Sequence, residues 1–174
     1  MKFAPIYTIA ALVLAGCVSP KNEPPHAAAI VAASFDSAAV GAIRVSVENQ
    51  SGIQLPASWF DSIVHNTGER IFEKGYAVAR PTDQTAAQLT ISIDSISARE
   101  EHPILRVQGQ TYATYVITLS ACLKSPDSRE RWVFATVSSE KFLIDGNGLD
   151  ELIINLAKAV IAEIPSTTHR RTPK

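Results

Sequence analysis

Between Ala113 and Leu123 apolar and polar residues take strict turns. Ala113, Tyr115, Ile117, Leu119, Ala121 and Leu123 lie on one side, and Thr114, Val116, Thr118, Ser120 and Cys122 on the other. Successive side chains of an extended strand point to opposite faces, so this is a long strand with one face buried. A strand of that kind cannot stand alone. It needs strands beside it and a second layer over its apolar face, which confines the chain to sheet-containing sandwiches.

The rest of the chain supplies both. Ile43, Val45 and Val47 alternate with Arg44, Ser46 and Glu48, the period of a half-buried strand. The turn residues Asn49-Gln50-Ser51-Gly52 follow. Pro56 then suits the first position of a helix, with Ser58 and Asp61 spaced as a capping box. Phe60, Ile63, Val64, Thr67 and Ile71 form its inner stripe, Trp59 and Phe72 border it, and Gly75 stands where a left-handed cap belongs. Tyr76 to Arg80 reads as a short strand. Strand, helix and strand at this spacing make a crossover unit, which predicts parallel strands.

The second half is antiparallel in character. Leu89, Ile91 and Ile93 keep one parity, which slips to Ile96 and Ala98 and predicts a bulge near Asp94-Ser95. Ser125-Pro126-Asp127-Ser128 has type I turn chemistry, and Arg131 to Phe142 returns as a hairpin partner. This last strand is apolar on both faces near its middle, which predicts an interior position. Leu149, Leu152, Ile153, Leu156, Val160 and Ile164 give the closing helix an inner stripe, and Pro165 stops it. The expected fold is α+β, a two-layer sandwich: a mostly antiparallel sheet of four to five strands with two helices on one face, in the order βαββββα. Alanine-rich residues 27–39 fit either a short helix or the edge of the fold.

Two helices on one face leave the other face open. It carries Thr90, Ser92, Thr118 and Ser120, with Thr136 and Ser138 beside them. Such a face is either solvated or set against a partner. Signatures of chemistry are absent from the sequence. His26, His65, His102 and His169 are far apart, and there is no HExxH, GxSxG, GxGxxG or phosphate loop. Residues 145–156 fail as a calcium loop, because Asp150 and Leu156 occupy the positions that need Gly and Glu. Cys122 reads as a half-buried strand residue. No catalytic residue, metal site or cofactor is expected. A net charge of −1 gives no reason to expect nucleic acid as a partner.

The N-terminus is the most specific stretch. Lys2 precedes an almost unbroken apolar run from Ile6 to Leu14, too short to span a bilayer and typical of an export signal. Leu14-Ala15-Gly16-Cys17 resembles the lipobox of bacterial lipoproteins. That resemblance implies cleavage between Gly16 and Cys17, acylation of Cys17, and attachment to a membrane through the acyl chains. Val18 replaces the Asp that retains many lipoproteins in the inner membrane, which points to a periplasm-facing place on the outer membrane. Residues 1–16 are then signal, 17–34 tether, 35–165 one domain, and 166–174 a polar tail. With Cys17 acylated, Cys122 has no partner within the chain, so packing alone must hold the domain.

A lipobox, a tether, the strand Gly41-Ala-Ile-Arg-Val-Ser-Val-Glu-Asn, the strand Gln88-Leu-Thr-Ile-Ser-Ile-Asp, and the pair Tyr115-Val-Ile-Thr-Leu-Ser and Arg131-Trp-Val-Phe make a layout that resembles the LPS-assembly lipoprotein family LptE. Activators of penicillin-binding proteins such as LpoB share related layouts. The resemblance implies a non-enzymatic role in envelope assembly. The partner would be a membrane β-barrel or, alternatively, a peptidoglycan synthase. Thr90, Ser92, Val116, Thr118 and Ser120 are the expected contacts, together with the Glu100-to-Gly109 loop.

Overall fold

The computed structural model describes residues 25–33, 35–100, 112–124 and 131–167. The signal, Cys17, the turn at 125–128, His102 and the contact loop from Glu100 to Gly109, apart from Glu100 itself, lie outside these. Six strands and two helices follow in the order β1 (His26–Val31), β2 (Ala42–Asn49), α1 (Ala57–Glu73), β3 (Ala77–Val78), β4 (Ala87–Glu100), β5 (Tyr112–Lys124), β6 (Arg131–Ile144) and α2 (Leu149–Ala162). They build one sheet ordered β1-β6-β5-β4-β2-β3. The strand pair β2 and β3 is parallel, as the crossover through α1 requires, and β2 is also parallel to β4. The remaining pairs are antiparallel.

The class is the expected α+β sandwich with a mostly antiparallel sheet, but the sheet has six strands where four to five were expected, and two of its pairs are parallel. The added strand is β1. His-Ala-Ala-Ala-Ile-Val has weak strand propensity and no alternation to read. It is a strand because Ala27, Ala29 and Val31 pair with Val137, Ala135 and Val133 of β6, and the first two pack against the core. The sheet therefore begins at His26, inside the stretch assigned to a tether ending at residue 34.

Both helices cover one face. Helix α1 lies over β2 and β3, helix α2 over β1, β5 and β6, and the helices pack against each other. The layer between them is filled by Ile43, Leu89, Ile91, Ile117, Leu119, Ile153 and Leu156, all fully buried. Three local expectations for α1 fail. Pro56 takes the N-cap position with extended backbone, so Ser58 already lies within the helix and no side chain caps it. Val64 faces solvent, leaving Ile63, Thr67 and Ile71 as the buried stripe. Phe72 is 64 % exposed, well beyond a border position. The third strand shrinks to two residues, because Tyr76 turns inward and is buried.

The far ends of the helices are fastened together. Lys74 Nζ donates to the Ala162 carbonyl at 2.8 Å and to that of Ile164 at 2.6 Å. The Tyr76 hydroxyl donates to Pro165 O at 2.6 Å, and Thr167 N to Lys74 O at 2.9 Å. Gly75 has φ +91, and a Cβ there would collide with the Thr167 hydroxyl. The carbonyls at a helix C-terminus lack partners within the helix, and a cation is the favoured group to meet them.

Candidate functional site

The pairing registers place the open face residue by residue. Directly opposed residues share a face, so the register Ser92–Ser120–Thr136–Ala28 is one row across the sheet. Thr90–Cys122–Phe134–Ile30 is the row below it. The bulge between Ile93 and Ser95 restores the parity. Ile93 and Ile96 both stay in the core, and Asp94 and Ser95 are left on the open side. All five sequence-derived contact residues, Thr90, Ser92, Val116, Thr118 and Ser120, lie on this face, in adjacent strands β4 and β5.

Its hydroxyls are largely bonded within the sheet, to one another, to backbone carbonyls or to Asp94. Ser46 and Thr90 lie 3.2 Å apart, and Thr118 Oγ1 donates to Ser138 Oγ at 3.3 Å. Thr136 Oγ1 donates to Leu119 O at 3.2 Å, and Ser138 Oγ to Ile117 O at 3.3 Å. Ser120 Oγ donates to Asp94 Oδ1 at 3.0 Å, and at 9 % exposure Ser120 is the least accessible of the five. Burial pushes the Asp94 carboxyl above the usual carboxylate range, against the Ser120 hydrogen bond, which pulls it down. The arrangement is a hydrogen-bonding surface with one partly desolvated acid.

Sequence reasoning missed the apolar end of this face. Val116, Phe142 and Ile144 are exposed there, and the Phe142 ring stacks on Tyr112 with centroids 6.0 Å apart. Phe142 was expected merely as the close of an interior strand. The signal that could have found it is parity: Phe142 and Ile144 continue the open-face series of Thr136 and Ser138.

Among the described residues no three His, Cys, Asp or Glu side chains gather as a metal site would need. His65 lies on the surface of α1, 3.3 Å from Glu69, and Cys122 is free and half-buried. On the helical side an open groove of about 520 Å³ is lined by Arg70, Glu73, Lys74 and Lys158. Arg70 is already paired with Glu73 at 2.7 Å, and Lys74 is committed to two carbonyls. Two of its three cations are thus already engaged, Lys158 being the third.

No protein-family model matches the chain, and no curated protein matches it. Solved structures do. The fold is similar to that of PelC. The PelC dodecamer from Paraburkholderia phytofirmans aligns with a TM-score of 0.52 at 13 % identity, over 82 % of this chain and 99 % of the PelC chain. Almost the whole of PelC thus finds a counterpart here, at an identity that speaks to fold and not to activity. Two further similar structures are described as lipoproteins. GNA1162 from Neisseria meningitidis has a TM-score of 0.42 and 13 % identity, covering 71 % of this chain and 99 % of that one. The minor lipoprotein from Acinetobacter baumannii has a TM-score of 0.35 and 13 % identity, covering 70 % and 84 %. Among the described residues no helix is long and apolar enough to cross a membrane.

Proposed function

We propose that the protein is a lipid-anchored lipoprotein of the bacterial envelope, held on the outer membrane and facing the periplasm. It recognises a partner and does not transform a substrate. The observation that carries this reading is Leu14-Ala15-Gly16-Cys17 at the end of a short apolar run. Each buried methylene of an acyl chain contributes about 0.8 kcal/mol, and more than one chain makes attachment persistent. In the LptE-like form of the reading, the hydroxyl rows of the open face dock against an envelope protein during assembly of the outer membrane. Support comes from the position of that face away from both helices.

Cys17→Ala tests the anchor. The wild-type protein is expected in the membrane fraction, with a mature N-terminal mass raised by a diacylglyceryl group. The variant should lose that modification and leave the membrane fraction or persist as uncleaved precursor. Unmodified sulfur in the mature wild-type chain overturns the reading.

One observation favours self-assembly as a second reading. Strand β1 is a sheet edge without charge from Ala27 to Val31, with Ile30 75 % exposed. Proteins that remain monomeric usually blunt such an edge. PelC is described as a dodecamer, and for the present chain the corresponding proposal is edge pairing through β1. Light scattering of the detergent-extracted protein checks it: a mass several times the protomer is expected, and a monomer removes it.

A further inference from the structure

We propose that the protruding tip of the sheet rests on the same lipid surface that holds the acylated Cys17. This rests on the reading of Cys17 as the anchor. Strands β4, β5 and β6 outlast their neighbours. Strand β2 stops pairing at Ile93, and β1 pairs with β6 no further than Ser138. Beyond those points Ile96–Glu100, Tyr112–Ile117 and Ser139–Ile144 continue as a three-stranded ribbon. One face of the ribbon is closed by the buried Ala113 and Leu143. The other presents Val116, Phe142 and Ile144, exposed by 36 %, 39 % and 39 %, with Tyr112 stacked on Phe142.

The tether assigns the occupant. Strand β1 opens at His26 opposite Ser138 and runs away from the tip, so the chain enters it from the tip side. Eight residues, Val18 to Pro25, separate Cys17 from His26, and their nine peptide steps span at most roughly 30 Å. From the level of Ser138 to that of Ile144 the strand rises roughly 20 Å. Anchor and tip therefore reach one plane with no reversal of the chain. Bringing the opposite end of the sheet to that plane requires the chain to double back at His26.

The chemistry of the tip suits the boundary between headgroups and acyl chains. Aromatic and aliphatic side chains settle there, and amphipathic ones sit at headgroup depth. Glu140 opposite Val116, and Arg99 opposite Thr114, hold the tip at that depth and keep it from sinking further. Three part-exposed apolar side chains are a weak patch by themselves. A covalent anchor within tether reach raises their effective concentration at the bilayer, so a weak patch is enough. The hydroxyl rows then stand just above the membrane, and the Lys74 and Tyr76 end points into the periplasm.

The test uses the full lipidated protein in vesicles of phosphatidylethanolamine and phosphatidylglycerol, with ordinary or brominated acyl chains. Phe142→Trp and Val78→Trp place reporters at opposite ends of the sheet, both at exposed positions, read as differences from the unaltered chain. Phe142→Trp emission should shift to the blue and lose intensity with brominated lipid, whereas Val78→Trp emission should not change. Ile144→Trp repeats the first measurement should Phe142→Trp perturb the ring stack. A protein that fails to float with the vesicles overturns the anchor and this proposal together. Flotation with no quenching at 142 or 144 overturns the tip contact alone and leaves the patch to a protein partner. Equal quenching at 78 and 142 overturns the end-on orientation.

Discussion

Two side chains do more to close this molecule than their places in the sequence announce. Lys74 and Tyr76 flank the left-handed Gly75 and together hold the last residues of α2 and the segment beyond it. Burial pulls the Lys74 ammonium below its usual range, partly offset by Glu163, and pushes the Tyr76 phenol up to about 12. The sign for Tyr76 follows directly. Below about pH 10 the phenol is protonated whether the chain is folded or not. Between that point and about 12 the unfolded chain loses the proton while the folded one keeps it, so stability falls as pH rises through this window. Tyr76→Phe should cost roughly 1 kcal/mol at neutral pH through the lost hydrogen bond. It should also flatten the decline between pH 10 and 12. Urea unfolding midpoints measured across pH for both proteins check the two effects.

At the scale of elements, β5 gives the sharpest contrast, because two neighbouring positions belong to opposite worlds. Ile117 is fully buried and Val116 is 36 % exposed. Ile117→Ala should destabilise by about 2–5 kcal/mol, and Val116→Ala by less than about 1 kcal/mol; thermal or denaturant unfolding separates them. The same alternation made β2, β4 and β5 legible from the residues alone, and with them the bulge at Asp94-Ser95, while β6 was legible as the apolar hairpin partner of β5. Strand β1 was not legible, because nothing in an alanine run encodes a strand until β6 offers it an edge. The capping box at Ser58 failed for a related reason: Pro56, with no N–H and an extended backbone, had already fixed where the helix starts. The open face was legible as a row of hydroxyls. That those hydroxyls bond to one another, to backbone carbonyls and to Asp94 depends on cross-strand register, which only the paired strands set, whereas the parity that puts Phe142 and Ile144 on the same face was there to be read.

For the molecule as a whole, stability rests on joining distant parts of the chain. The N-terminal β1 finds its place only against β6, and the turn at Lys74 closes only on residues 162–167. A chain ending at Gly148 lacks the helix that covers β5, β6 and β1. It should show no cooperative unfolding transition by circular dichroism, since the apolar faces of those strands have no second layer. A cooperative transition in that fragment would contradict this account of the packing. If the proposed export signal is used, the arrangement has a further consequence. Its first strand pairs with its sixth and its first helix is tied to its last, so β1 has no partner until β6 has been made, although β2, α1, β3 and β4 can meet one another earlier. Contacts this remote in sequence close slowly. An exported chain would complete its sheet edge and its paired helix layer only after the final residues have followed it across.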